Sequence, residues 1–113
     1  MKTFVIDIDG VCAKKKEKIT CSEDYIDCEA IEGASEASLK LYNAGWVILY
    51  SSRREEDREV TVDWLRKHNI FYNHLVLDKP LGDMYIDDNA LRFIDWEHTL
   101  KAVEWRETRE KQG

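Results

Sequence analysis

The sequence predicts an α/β domain: a compact, Rossmann-like parallel sheet with helices on both faces. Three observations carry this. Short apolar runs recur at residues 3–8, 46–50, 75–77 and 84–86, and segments of helical period separate the first three. Polar residues then stand at or just beyond the ends of these runs, at Asp7, Asp9, Ser51, Lys79, Asp87 and Asp88. In a parallel α/β sheet that is the edge where ligands bind.

Each element follows from its own residues. Residues 3–8, Thr-Phe-Val-Ile-Asp-Ile, are too continuously apolar for a half-exposed strand, so a strand buried on both faces is expected. Residues 11–30 show no clean period and contain Lys14, Lys15, Lys16, Glu17 and Lys18; a long excursion with a small hairpin or flap is expected there. Ala34, Ala37, Leu41 and Ala44 recur at helical spacing over residues 32–44, and Gly45 stands where a helix C-terminal glycine usually does. Residues 46–50 read as a second buried strand that runs into Ser51, Ser52 and Arg53. The next helix, over 55–68, places Glu55, Glu56 and Asp57 in its first turn and Arg66, Lys67 and His68 in its last, as the helix dipole favours.

A short strand at 75–77 leads into a loop marked by Pro80 and Gly82. A fourth strand is expected at 84–86, closing on Asp87 and Asp88. Trp96, Leu100 and Val103 then form a helical stripe, and the polar tail from Glu107 to Gly113 is expected to fray.

At 113 residues the chain is long enough for one domain, 1–113, with the flap-like insertion at about 12–30. Its formal charge of −6 argues against a protein that follows nucleic-acid backbones by bulk electrostatics. Asp7 interrupts the N-terminal apolar run, which excludes a signal-peptide core or a membrane span there, so a cytoplasmic protein is expected. Cys12, Cys21 and Cys28 are odd in number and too widely spaced for a zinc site, which suits a reducing compartment. The four Trp are assigned to core and helix-face packing, and His68, His74 and His98 are isolated.

The chemistry lies at the strand ends. Asp7 and Asp9, two residues apart, can project to the same side of an extended backbone, and Gly10 permits a sharp departure. Ser51, Lys79 and the Asp87, Asp88 pair would converge on that edge. Carboxylates, a hydroxyl and an amine suit phosphoryl transfer, where catalysis is mainly positioning and charge neutralisation. Magnesium takes oxygen ligands and retains waters, so Asp7 and one of the Asp87, Asp88 pair fit a typical site.

In these motifs and their order the chain resembles the haloacid dehalogenase-like superfamily over about its first 95 residues. Asp7-Ile8-Asp9-Gly10-Val11 resembles the first motif, residues 47–53 the second, Lys79 the third, and Tyr85-Ile86-Asp87-Asp88 the fourth. The resemblance implies a magnesium-dependent phosphatase acting through an aspartyl-phosphate. Asp7 would be the nucleophile, Asp9 the acid and then the base, and Lys79 the charge-neutralising amine. Gly10, Ser51, its neighbour Ser52 and Lys79 would hold the phosphate. Asp7, the backbone carbonyl of Asp9 and a fourth-motif acid would hold the metal, with Asp87 the direct ligand and Asp88 behind it. Residues from Lys79 to Phe93 are similar to small members found in phage and polysaccharide-biosynthesis settings. Neither usual insertion point holds enough residues for a cap domain, and 78–84 is too short for the helix that normally precedes the fourth strand. An open site suits a phosphorylated small molecule or an exposed phosphate on a larger one, and a second copy of the chain could serve as the lid.

Other readings compete. An isolated Asp-x-Asp is often a solvated turn, and Ser after a strand is common turn chemistry. Arg53 could reach a substrate anion or pair with Glu55, Glu56 or Asp57, and it stays outside the catalytic set. The lysine run is a solvated face or an anion-attracting flap. A phosphoryl-accepting signalling module would place its acidic pair at the first strand and its acceptor at the third, the reverse of this order. A catalytically silent binding protein on the same fold is the remaining alternative.

Overall fold

A computed structural model describes residues 1–112, with side chains as far as Arg106. Three parallel strands, β1 (Lys2–Ile6), β2 (Gly45–Tyr50) and β3 (His74–Val76), lie in the order β1-β2-β3. Ile6 stands opposite Leu49 and Tyr50 opposite Val76. The strands therefore end level, and Asp7, Ser51 and Leu77 leave the sheet side by side. The α/β class and the first three strands agree with the sequence.

The core sits on one face. Ile6, Ile8, Val47, Leu49, Leu75 and Leu77 are buried there with Ala34, Ala37 and Leu41 of α1 (Ala34–Ala44) and with Trp64 and Leu65 of α2 (Arg58–Lys67). Trp96, which opens α3 (Trp96–Gln112), joins the same cluster. On the opposite face Val5 is 60% and Trp46 45% exposed. Neither the strand buried on both faces nor helices on both faces is therefore seen among the described residues. The reason is topological: parallel strands are joined by right-handed crossovers. Two such crossovers stepping the same way, β1 to β2 and β2 to β3, lay α1 and α2 on the same side.

Gly45 caps α1 with its N–H on the Leu41 carbonyl, as its position suggests, yet it also begins β2 in extended backbone. Glycine is required there because a Cβ would come within 2.1 Å of the Lys2 carbonyl on β1. A 3-10 turn (Glu55–Asp57) precedes α2, so the helix expected over 55–68 is shorter and tighter at its start.

Residues 12–30 form a closed excursion. Ile31 N–H donates to the Cys12 carbonyl and Lys14 N–H to the Glu29 carbonyl, both at 2.8 Å, while Ala13 bridges Ala30. Cys12, Ala13 and Cys28 are buried, the Ser22 hydroxyl meets Asp57, and Trp64 Nε1 donates to the Cys28 carbonyl at 2.8 Å. Its 3-10 turn (Ser22–Tyr25) is pinned to the turn that precedes α2, and its return to α2 itself. Cys12, Cys21 and Cys28 are free thiols.

The fourth strand does not form. Residues 84–86 run as irregular chain, with Met84 77% and Ile86 92% exposed, and the outer edge of β1 is unpaired among the described residues. A parallel strand usually needs a connection of about a dozen residues to return along the sheet. Only the six residues 78–83 lie between the end of the β3 run and Met84. The tail expected to fray falls where α3 continues to Gln112; Gly113 and the side chains beyond Arg106 lie outside the described residues. Among the described residues no helix is long and apolar enough to cross a membrane.

Candidate active site at the carboxyl edge of the sheet

The turn after β1 is wound around one carbonyl. Val11, Cys12 and Ala13 donate their N–H groups to the Ile8 oxygen at 3.2, 2.7 and 2.9 Å. Gly10 closes the turn at φ +91°, a left-handed conformation that disfavours any side chain, and its N–H reaches the Ala13 carbonyl at 2.7 Å. This tight loop holds Asp7 and Asp9 in place.

Asp7 Oδ1 accepts the Ile8 N–H at 2.8 Å, and its Oδ2 lies 3.9 Å from Lys79 Nζ. Burial pushes the Asp7 carboxyl above its ordinary value, while Lys79, the Ile8 N–H and Lys15 pull the other way. The Lys15 stem crosses Gly10 closely enough that a Cβ at that glycine would stand 3.0 Å from Lys15 Cε. Two lysines thus flank one carboxylate. Cys12 lies behind it, its Sγ 3.5 Å from the Asp7 carbonyl, and burial with the nearby Asp7 and Asp9 charges pushes the thiol up to about 12. It is a packing group, not a nucleophile.

Asp9 is held by Arg53. Arg53 Nε donates to Asp9 Oδ2 at 2.9 Å and Nη2 to Oδ1 at 2.7 Å, a bidentate pair. The arginine is only 2% exposed; its Nη1 donates to Thr61 Oγ1 at 3.2 Å and its guanidinium lies 3.9 Å from the Tyr25 ring centroid. Burial opposes the Arg53 charge, but the hydrogen bonds and charge of Asp9 outweigh it, and the net shift is upward.

Ser51 and Lys79 are fixed by the strand ends. Ser51 N–H donates to the Val76 carbonyl and Lys79 N–H to the Ser51 carbonyl, both at 2.9 Å, while Asp78 N–H donates to Arg53 O at 2.8 Å. The Ser51 side chain is fully buried, and its Oγ accepts the Arg53 N–H at 3.1 Å. It therefore builds the turn beneath the site instead of facing outward as the motif suggested, and half-buried Ser52 follows it. The Lys79 ammonium sits 4.4 Å from the Tyr85 ring and 5.3 Å from that of Tyr50. Tyr85 is brought there by its hydroxyl, which accepts the Gly82 N–H at 3.2 Å and donates to Pro80 O.

The structure brings Asp7, Asp9, Gly10, Ser51 and Lys79 to one edge but leaves Asp87 and Asp88 exposed on the loop after Tyr85. The bonds of Asp87 are local: its Oδ1 accepts the Asn89 N–H at 3.2 Å, and this bond, together with hydrogen bonds from Asp88, holds its carboxyl below its ordinary value. Among the described residues no group of three or more His, Cys, Asp or Glu is placed to hold a metal ion. The metal set inferred from the motifs is therefore not assembled, because the strand that would carry its fourth-motif acids does not form.

Arg53, Tyr25, Thr61 and Lys15 enter the site without having been assigned to it from sequence. Arg53 pairs with Asp9 and not with the acids that follow it: Glu55 goes to Arg58 at 2.7–2.8 Å and Asp57 to Ser22. One signal was available. An acid just beyond a buried strand needs a counter-charge, and Arg53 stands just past the end of the neighbouring strand.

No protein-family model matches the chain, and no curated protein matches it. Among solved structures it is similar to an MCSG target protein from Vibrio cholerae, at a TM-score of 0.66 and 22% identity, over 81% of this chain and 84% of that one. A likeness at this identity shows the shared α/β fold.

Proposed function

We propose that the chain is a small, capless phosphohydrolase of the haloacid dehalogenase-like type, dependent on magnesium and acting on a phosphate monoester. One observation carries the reading: Asp7 projects from the carboxyl end of β1 with an open Oδ2 3.9 Å from Lys79 Nζ, while Asp9 stands two residues on in the same tight loop. Asp7 attacks phosphorus, the bond to the leaving oxygen breaks, and that oxygen takes a proton from Asp9. Asp9 then takes a proton from water as the water oxygen attacks phosphorus, and phosphate departs from Asp7. Splitting one displacement into two is the gain of the covalent route. Lys79 balances charge on the transferring group.

The donors present suit magnesium: the Asp7 carboxylate and the Asp9 backbone carbonyl are the hard oxygens it takes. When bound, the ion would neutralise charge on the nucleophile and the phosphate. On this reading Asp87 would complete the metal site, with Asp88 behind it, when the exposed loop that carries them closes on the strand ends. The exposure of Met84 and Ile86 on that loop supports this, since they are apolar surface that such closure would cover. The substrate is a phosphorylated small molecule or an exposed phosphate on a larger one, and a second copy could roof the open site.

A catalytically silent binding protein is the second reading, favoured by one feature: both Asp9 oxygens are engaged by Arg53. Hydrolysis of p-nitrophenyl phosphate with and without magnesium decides between them. The proposal expects magnesium-dependent turnover, its loss in Asp7→Asn, its loss in the Asp87→Asn, Asp88→Asn pair, and covalent phosphate on Asp9→Asn by intact mass. Turnover unaffected by chelation, or phosphate attached to Asp7→Asn, would sink it.

A further inference from the structure

Among the described residues Arg53 is the largest fully buried side chain, and it is a cation. Burying a guanidinium without partners is costly, so its surroundings show what it is kept for. Each is specific. Two of its nitrogens take the two oxygens of Asp9, a third takes Thr61 Oγ1 from α2, its face rests on Tyr25 from the excursion, and its own N–H takes Ser51 Oγ. The arginine is thus gripped by three parts of the fold and presents one fork to one carboxyl group.

We infer that Arg53 is a positioning residue that fixes the carboxyl plane of Asp9 for proton transfer to the leaving group. The inference rests on the hydrolytic reading above and deepens it. A carboxyl group offers about four lone-pair sites, and a bidentate arginine occupies one on each oxygen. The remaining sites point away from the buried fork, toward the side on which the Asp9 side chain keeps 26% of its surface exposed. The two hydrogen bonds remove rotation about the Cβ–Cγ bond, and they keep Asp9 from swinging to the ammonium groups of Lys79 and Lys15. The Asp9 proton leaves toward the leaving oxygen and returns from the attacking water at the same exposed edge. Lysine cannot replace this fork, since it is a point charge without planar geometry. Tyr25 and Thr61 hold the arginine, which ties residues 12–30 to the orientation of the acid.

The test compares Arg53→Met and Arg53→Lys with the unaltered protein on two esters, p-nitrophenyl phosphate and a simple alkyl phosphate, with magnesium. General acid catalysis contributes typically about 10²–10⁴-fold, and a poor leaving group needs most of it. Arg53→Met should therefore lower kcat on the alkyl ester about a hundredfold and on the aryl ester about tenfold or less, with KM nearly unchanged. In an Asp9→Asn background the same substitution should add little further loss. Arg53→Lys should recover the melting temperature but not the alkyl-ester rate. Should Arg53→Met not fold, Arg53→Lys and Thr61→Val carry the same comparison. Losses that multiply with those of Asp9→Asn, on either ester, would reduce Arg53 to a packing residue and overturn the inference. A wild-type protein inactive on both esters would instead overturn the hydrolytic reading, and the role of Arg53 with it.

Discussion

Replacing Trp64 with Phe separates an excursion that is pinned to the domain from one that swings over the site. Trp64 is buried in the core on α2, and its Nε1–H is the donor to the Cys28 carbonyl at 2.8 Å. Phenylalanine keeps an aromatic ring but removes that donor, leaving a buried carbonyl unpaired at a cost of about 1–3 kcal/mol. The smaller ring also leaves a void and weakens the packing on His68, whose ring centroid lies 4.2 Å away. That adds about 1 kcal/mol. The sum, about 2–4 kcal/mol, is read by urea unfolding, and at about 4 °C per kcal/mol for a domain of this size it lowers Tm by about 8–16 °C. Thiol labelling supplies the local readout. In the native protein exposed Cys21 should react quickly while buried Cys12 and Cys28 resist, and the substitution should release Cys28 first. A loss below about 1 kcal/mol, with Cys28 already labelled as fast as Cys21 before substitution, would refute the pinned excursion.

Two further outcomes follow from the site. Burial raises the Asp7 carboxyl above its ordinary value of 3.8, so the ionised form is held less well by the folded chain than by the unfolded one. The penalty is absent below the unfolded value, grows as pH rises through the folded one, and is complete above it. In metal-free buffer Asp7→Asn should therefore melt higher than the parent at neutral pH, with the gap closing toward pH 3; a gap independent of pH would contradict this electrostatic account. Among the clustered lysines, Lys14 pairs with Glu29 at 3.0 Å and Lys16 with Asp27, whereas Lys15 lies across Gly10 beside Asp7. Lys15→Ser alone should lower kcat/KM for anionic esters several-fold and flatten its salt dependence, with kcat nearly unchanged. An equal effect from Lys14→Ser would show that only the total charge matters.

The sequence by itself determined the α/β class, the first three strands, the two helices between them and the edge where the polar residues gather. These are local quantities: apolar period, turn residues and strand-end position set them without reference to distant parts of the chain. Asp7, Asp9, Gly10, Ser51 and Lys79 were legible for the same reason, because level strand ends bring successive loops together. What only the tertiary structure decided was pairing. Arg53 could be placed against nearby acids by sequence distance, but the fold offers it Asp9, 44 residues away, and gives the nearer acids to Arg58 and Ser22. Residues 12–30 have no period to read, since they are held by single bonds to α2 and not by a repeating face. The outcome at 84–88 was hidden too: a strand-like run becomes a strand only with an edge to pair and a connection that reaches it. Side-chain partners across a sheet depend on where the backbone brings them in space, and that information is spread over the whole chain.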